Sequence, residues 1–332
     1  MDVMHIINIL MVTLNRLYLP LLTAALALPE TSCIYDDLEP CEDEKAEFTI
    51  INDWNAAPEA DPEGMAYLFY PENSIEPWRF DFPGREAGKV RLPEGRYSFI
   101  MFNDDTSSIE FIDGDHGSLS ATTKEVTIGF DPNVGEIRAT PDMMWADASR
   151  TVQLGINSLT YASSEYAGDI EIIQSPNMRM ITHPVQIVSR YTLCVKHIEN
   201  ISGSVCAKGL LTGMSSGINL RDNTHSEERV SLPFDLTLSA DSSLNAEILT
   251  FGIPRHTDST DFKSSILLFF KLSDGNTVKY EFDRTGEILS APDPLNVKLT
   301  IDSINLPYAP PIEGNSGFAP SVAGWTTVIV NY

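Results

Sequence analysis

Ser265-Ile266-Leu267-Leu268-Phe269-Phe270-Lys271-Leu272-Ser273-Asp274-Gly275-Asn276-Thr277-Val278-Lys279-Tyr280-Glu281-Phe282 is the stretch that decides the fold. Two runs rich in aliphatic and aromatic residues flank an Asp-Gly pair. That pair suits a two-residue type I′ turn, whose two central residues both need positive φ. Leu268, Phe270 and Leu272 alternate on the first run, and Val278, Tyr280 and Phe282 alternate on the second. Alternation with period two puts each set on one face of a strand. The reading is an antiparallel hairpin with one face on a core.

The same signals recur outward in both directions. Val297 to Ile304 alternates, and Trp325-Thr326-Thr327-Val328-Ile329-Val330-Asn331-Tyr332 reads as a final strand. Upstream, strands are predicted at Pro184 to Ile198, Val205 to Leu211, Arg229 to Leu238 and Ala246 to Ile253. Further back they fall at Glu47 to Asn52, Met65 to Pro71, Trp78 to Phe82, Lys89 to Leu92, Arg96 to Asn103, Ile109 to Ile112, Glu125 to Phe130 and Val152 to Leu159. Thr140 to Ala146 reads as an irregular apolar connection. Pro, Gly, Asn and Asp punctuate these runs, and long helical periodicity is nearly absent. Short strands at close spacing indicate antiparallel sandwiches, not a βαβ sheet. At 332 residues the chain suits two domains. The expected organisation is a signal peptide at 1–32, an acidic tether at 33–45, an N-terminal β-sandwich at 46–165 and a C-terminal one at 166–332.

The first residues read as an export signal. Arg16 precedes the apolar run Leu17 to Leu28, and the start is either Met1 or Met11. Pro20 and the short apolar length argue against a permanent membrane-spanning helix. A small residue, Ser32, stands before Cys33, as lipoprotein signal peptidase requires, although Glu30 replaces the usual aliphatic residue. Cys33 is therefore the expected lipidation site. Ile34 to Glu44 is acidic, lacks apolar periodicity and reads as a tether.

Composition narrows the function. The formal net charge is -25 with 42% hydrophobic and 21% charged residues, which describes folded, strongly negative domains. Such a surface repels phosphate backbones, so nucleic-acid binding is not expected. If Cys33 carries lipid, Cys41, Cys194 and Cys206 remain. Cys194 and Cys206 lie close enough in sequence for a disulfide across neighbouring strands, or for two free thiols. No Cys/His spacing suggests zinc.

Chemistry-bearing patterns are weak. Gly213-Met214-Ser215-Ser216-Gly217 fits G-x-S-x-G, but Ile218 to Asn223 does not read as the helix a nucleophile elbow needs. Asp113-Gly114-Asp115-His116-Gly117 offers oxygen ligands for calcium, but lacks the later bidentate acid and reads better as a tight turn. His5, His116, His183, His197, His225 and His256 are scattered. No catalytic residue, metal site or cofactor is expected.

In order and spacing the chain resembles the fimbrillin-like lipoproteins of Bacteroidales, which include minor fimbrial subunits that anchor fimbriae. The residues that carry this are Cys33 with its acidic follow-on and Asp53-Trp54. Gly64-Met65 before the Tyr67 to Pro71 strand, and Leu92-Pro93-Glu94-Gly95-Arg96-Tyr97 leading into Phe102-Asn103-Asp104, add to it. Gly317-Phe318 and Gly324-Trp325 complete it. The acid-rich stretch behind Cys33 is similar to the surface-export signal of Bacteroidota lipoproteins. The resemblance implies a pair of transthyretin-like β-sandwiches on an outer-membrane lipid anchor.

The expected role is that of a surface interaction protein, a fimbrial anchor, accessory subunit or adhesin, whose partners are other fimbrial or surface proteins. Its mechanism would be strand addition at sheet edges. Trp325, Val328 and Val330 mark the strand expected either to fill the chain's own groove or to be exchanged. The alternative is a glycan-binding surface lipoprotein of a nutrient-uptake system, with Trp54, Trp78 and Trp145 as the candidate aromatic platform.

Overall fold

The computed structural model describes residues 45–112, 117–128, 134–148, 150–154, 159–163, 170–255 and 262–311. The expected signal peptide, Cys33 and its tether up to residue 44, the loop at 113–116 and the terminal strand with Trp325, Val328 and Val330 lie outside the described residues. Almost everything described is β.

The first half contributes β1 (Lys45–Asn52), β2 (Gly64–Pro71), β3 (Trp78–Pro83), β4 (Lys89–Pro93), β5 (Gly95–Asn103), β6 (Ile109–Ile112) and β7 (Ser120–Thr123). It continues with β8 (Trp145–Asp147), β9 (Arg150–Leu154), β10 (Leu159–Ser163), β11 (Ile170–Ile172), β12 (Arg179–Thr182) and β13 (Val185–Gln186). Two sheets result, one ordered β10-β9-β12-β1-β4 and the other β13-β8-β5-β2-β3, with β11 also paired to β5. They enclose one core: Phe48 and Ile50 from β1 face Tyr67 and Phe69 from β2 and Phe99 from β5. Phe48 and Phe69 meet edge to face, with ring centroids 5.8 Å apart.

The second half contributes β14 (Ser189–Glu199), β15 (Ser204–Ser215), β16 (Gly217–Asn219), β17 (Arg229–Asp235), β18 (Thr237–Leu238) and β19 (Leu244–Thr250). After these come β20 (Ser265–Leu272), β21 (Thr277–Asp283), the short helix α1 (Thr285–Leu289) and β22 (Asn296–Asn305). Sheets β18-β19-β14-β22 and β17-β15-β20-β21 pack across a second core that includes Tyr191, Leu193, Leu211, Leu232, Leu268, Phe270 and Leu299.

Three expectations need correction. The boundary at 165/166 is misplaced, because β11, β12 and β13 hydrogen-bond into the first two sheets and the second pair of sheets begins at Ser189. The irregular stretch ending at Ala146 includes a strand, since Trp145–Asp147 pairs with both β5 and β13. The Asp274-Gly275 turn is not type I′. Only Gly275 has positive φ, at 91°, and the loop closes with Leu272 N–H donating to Asn276 O and Gly275 N–H to Leu272 O. The Asp274 carboxylate accepts from the Asn276 N–H at 3.0 Å, so an Asx contact sets a three-residue loop.

A third layer binds the halves. The sheet β16-β7-β6 combines strands from both. It covers the outer side of β2 and β5, where Ala66, Leu68, Ile100 and Phe102 meet Ile109, Ala121, Ile218 and Phe251. The segment following β7 then reaches further. Arg138 N–H donates to Ser231 O at 3.1 Å, and Ser231 N–H donates to Glu136 O at 2.8 Å, so residues 136–138 bridge the edge of β17. Ile128, Val134 and Ile137 pack on Leu210, Leu267 and Phe269, the outer face of the second pair of sheets. This arm of the first half, 117–128 and 134–139, therefore adds backbone pairing and an apolar cover to the second.

Candidate functional site

The feature that can do chemistry of association is an unpaired backbone edge, and several sheet edges carry a protection against it. At β4, Lys89, Arg91 and Pro93 supply charge and a missing N–H, and both cations pair with Glu47 at 3.0 Å. β3 ends in Pro83 and carries the Arg79–Asp81 pair. β17 is bridged by the arm, and Pro233 interrupts its donors. β13 and β18 span two residues each.

β22 differs. It is ten residues long, the longest strand at a sheet edge among the described residues. It pairs in parallel with β14 from Asn296 to Asn305, and no described strand lies on its other side. Val297, Leu299, Ile301 and Ile304 point into the core; Asn296, Lys298, Thr300, Asp302 and Ser303 are exposed. Only Lys298 and Asp302 bring charge to this edge. Helix α1 packs nearby through buried Ile288, and the Tyr280 hydroxyl donates to Asn305 O at the strand's end.

β22 also carries a coupled distortion. Ser303 (φ 69°) and His197 on β14 (φ 50°) occupy the left-handed region together, and the register runs past both without slipping. Alternation shifts in step on the two strands: Val195 and Ile198 are both buried, as are Ile301 and Ile304. His197 Nδ1 lies 2.5 Å from Asp302 Oδ1 across the pair.

A polar cleft of about 580 Å³ lies where the halves meet, walled by Thr122 and Arg138 of the arm and by Ser216, His225, Glu228 and Arg255 of the second half. Arg138 is fixed by Glu136 Oε1 at 2.6 Å, the Thr122 hydroxyl at 3.0 Å and Thr123 O at 2.8 Å. His225 Nδ1 sits 2.7 Å from Ile253 O. Burial lowers its pKa despite that carbonyl, so it is a neutral donor through Nδ1–H.

Several candidate residues are placed differently from a reactive arrangement. Ser215 is 1% exposed at the end of β15, and its hydroxyl is committed to Gly217 O at 2.8 Å and Ser226 O at 3.0 Å. The G-x-S-x-G segment is a strand end and bulge, not an elbow, with Gly213 at φ 79°. Cys194 and Cys206 are free thiols. Cys194 shares the outer face of its sheet with Thr192 and Lys196; Cys206 lies on the opposite sheet, beside Lys271 of β20. Alternation points the two side chains away from each other, which is why sequence proximity misled. Burial raises the Cys206 thiol pKa. Trp54 is buried, donates through Nε1 to Arg85 O at 2.9 Å and lies under the Arg85 guanidinium. Trp145 is half-buried against the first core, whereas Trp78 is exposed. They form no common platform. Among the described residues no group of three His, Cys, Asp or Glu is placed to hold a metal ion, and no helix is long and apolar enough to cross a membrane.

Paired sheets, a third layer shared between halves and a long edge with no described strand beyond it define an all-β protein. The chain belongs to the family described as Domain of unknown function (DUF5119), whose pattern matches residues 32–235. A Bacteroides ovatus protein provisionally named a fimbrium anchoring subunit, Fim4B, is 32% identical over 113 residues, 34% of this chain and 32% of that one. The chain thus matches about a third of that curated relative's length. A crystal structure from B. ovatus, provisionally described as an adhesin, superposes with a TM-score of 0.58 at 18% identity, covering 80% of this chain and 94% of the other. The fimbrial anchor protein Mfa2 from Porphyromonas gingivalis gives 0.46 at 11% identity, covering 77% and 90%. The resemblance read from the sequence is met in kind: the relatives are Bacteroidales proteins named for fimbrial anchoring and adhesion.

Proposed function

We propose that the protein is a lipid-anchored outer-membrane surface subunit that holds fimbrial or other surface proteins by strand addition. The observation that carries this reading is β22, a ten-residue sheet edge with an exposed polar face and no strand beyond it among the described residues. A partner strand laid there gains backbone hydrogen bonds along its length, with side-chain contacts setting register. The relatives' names for fimbrial anchoring and adhesion support the same role. Cys33 is the proposed lipid site and the tether joins it to Lys45.

The segment Trp325 to Tyr332, expected to form a strand, has two roles open to it in this scheme. The nineteen residues from Leu306 to Gly324 let it fold back on β22, or it is donated to a neighbour. Truncation after Gly324 and Trp325→Ala separate these roles. Donation predicts a folded protein, judged by its melting transition, that no longer captures its neighbour. Self-filling predicts loss of stability instead. A stable truncated chain that captures its partners unchanged would contradict both.

One observation favours a second reading, glycan binding in nutrient uptake: the polar cleft between the halves. A glycan array with the mature protein tests it, and absence of any bound glycan removes it.

A further inference from the structure

Lys45, the first described residue, and the exposed apolar residues nearby share one end of the first pair of sheets. Lys45 opens β1 and pairs with Pro93 at the end of β4. The β4–β5 turn, the β2–β3 turn and the end of β11 all lie at this end: Pro71 pairs with Tyr97, Tyr97 with Ile170, and Gly95 with Ile172. Glu72 N–H donates to Arg96 O at 3.0 Å, and the Gln174 N–H to Glu94 Oε1 at 2.6 Å. Across this end stand Ile173 beyond β11, Ile75 in the β2–β3 turn and Trp78 at the start of β3. They are 43%, 74% and 37% exposed. The Lys45 ammonium lies 5.5 Å from the Trp78 ring centroid. An indole with a cation beside it and two bare isoleucines is the chemistry of a lipid interface, where amphipathic side chains straddle headgroup and acyl chain.

Resting on the proposed acylation of Cys33, we infer that this end of the protein docks on the lipid surface through Ile75, Trp78 and Ile173. The length of chain before Lys45 supports that occupant. From Cys33 the tether reaches at most about 40 Å fully extended, so the end that bears Lys45 is the part of the body held nearest the bilayer. The patch is edged by the exposed carboxylates Glu72, Glu76 and Glu94, with Lys45 and Arg96 as the cations. That excess of negative charge disfavours anionic headgroups and selects a zwitterionic surface.

The test uses the full acylated protein on phosphatidylcholine vesicles whose acyl chains carry bromine, which quenches indole fluorescence on contact. Flotation with the vesicles and quenching are read together. The expected result is flotation with quenching, most of which is lost in Trp78→Phe and reduced in an Ile75→Ser, Ile173→Ser variant, with melting transitions confirming that both fold. Flotation with quenching that Trp78→Phe leaves unchanged, or with no quenching, overturns the docked end while acylation stands. Failure of the wild-type protein to float overturns the anchoring reading itself and the docked end with it.

Discussion

Ser303 and His197 pay no visible penalty in register, yet each holds a left-handed backbone that L-residues with a Cβ disfavour. Because the two distortions face each other, both strands shift phase together and Ile198 and Ile304 return to the core. Ser303→Gly is expected to stabilise the protein by about 0.5–1 kcal/mol, since glycine adopts this region freely. Ser303→Val, a better strand former, is expected to destabilise it; urea unfolding measures both. His225 gives a pH dependence of known sign. Its folded pKa is depressed by burial, so its stabilising effect is complete above the unfolded value of about 6.5 and is lost as pH falls through the depressed folded one. Between these values the unfolded chain binds the extra proton. Stability of the wild type should therefore fall more steeply below pH about 6.5 than that of His225→Gln; urea midpoints across the pH range check it.

At the scale of elements, much was legible because strands write their burial directly. Alternation at Val297 to Ile304 marked β22, and its phase holds from Val297 to Ile301 before the shift at Ser303. The continuous apolar runs at Met65 to Tyr70 and Ile266 to Phe270 carried a further message, burial on both faces. They mark the strands that lie beneath the third layer. That layer itself was hidden, because its cover is assembled from single bridges and short strands that a distant segment completes. Glu125 to Phe130 illustrates this: of the expected strand, only the Glu125–Arg138 bridge forms among the described residues. Arg138 holds the arm at this point through three hydrogen-bonded groups. Arg138→Ala is expected to cost about 2 kcal/mol. It should also speed hydrogen exchange at 134–138 far more than in β15, since local opening needs only the arm to leave. Equal change in both segments would mean the arm and sheets unfold as one.

At the scale of the whole molecule, strands expected after a boundary at 165/166 pair into the first two sheets. Strands β11 to β13 are three, four and two residues long, too short for alternation to assign them to a sheet. What places them is pairing with strands distant in sequence, which one sequence does not reveal. The candidate site was legible only as a mechanism. The sequence pointed to sheet edges and the terminal strand; it could not show that charge, proline or the arm protects β3, β4 and β17 while no described strand covers the long β22. The central claim is that this edge receives a partner strand. The direct measurement places a photo-reactive amino acid at Lys298 or Thr300 of β22, with Arg91 of β4 as the control, in cells that display the protein. The account predicts that irradiation joins the first two positions to one fimbrial or surface polypeptide, through a strand-forming peptide, and leaves the control unjoined. Adducts at Arg91 alone, or none at β22 in cells that assemble fimbriae normally, would contradict it.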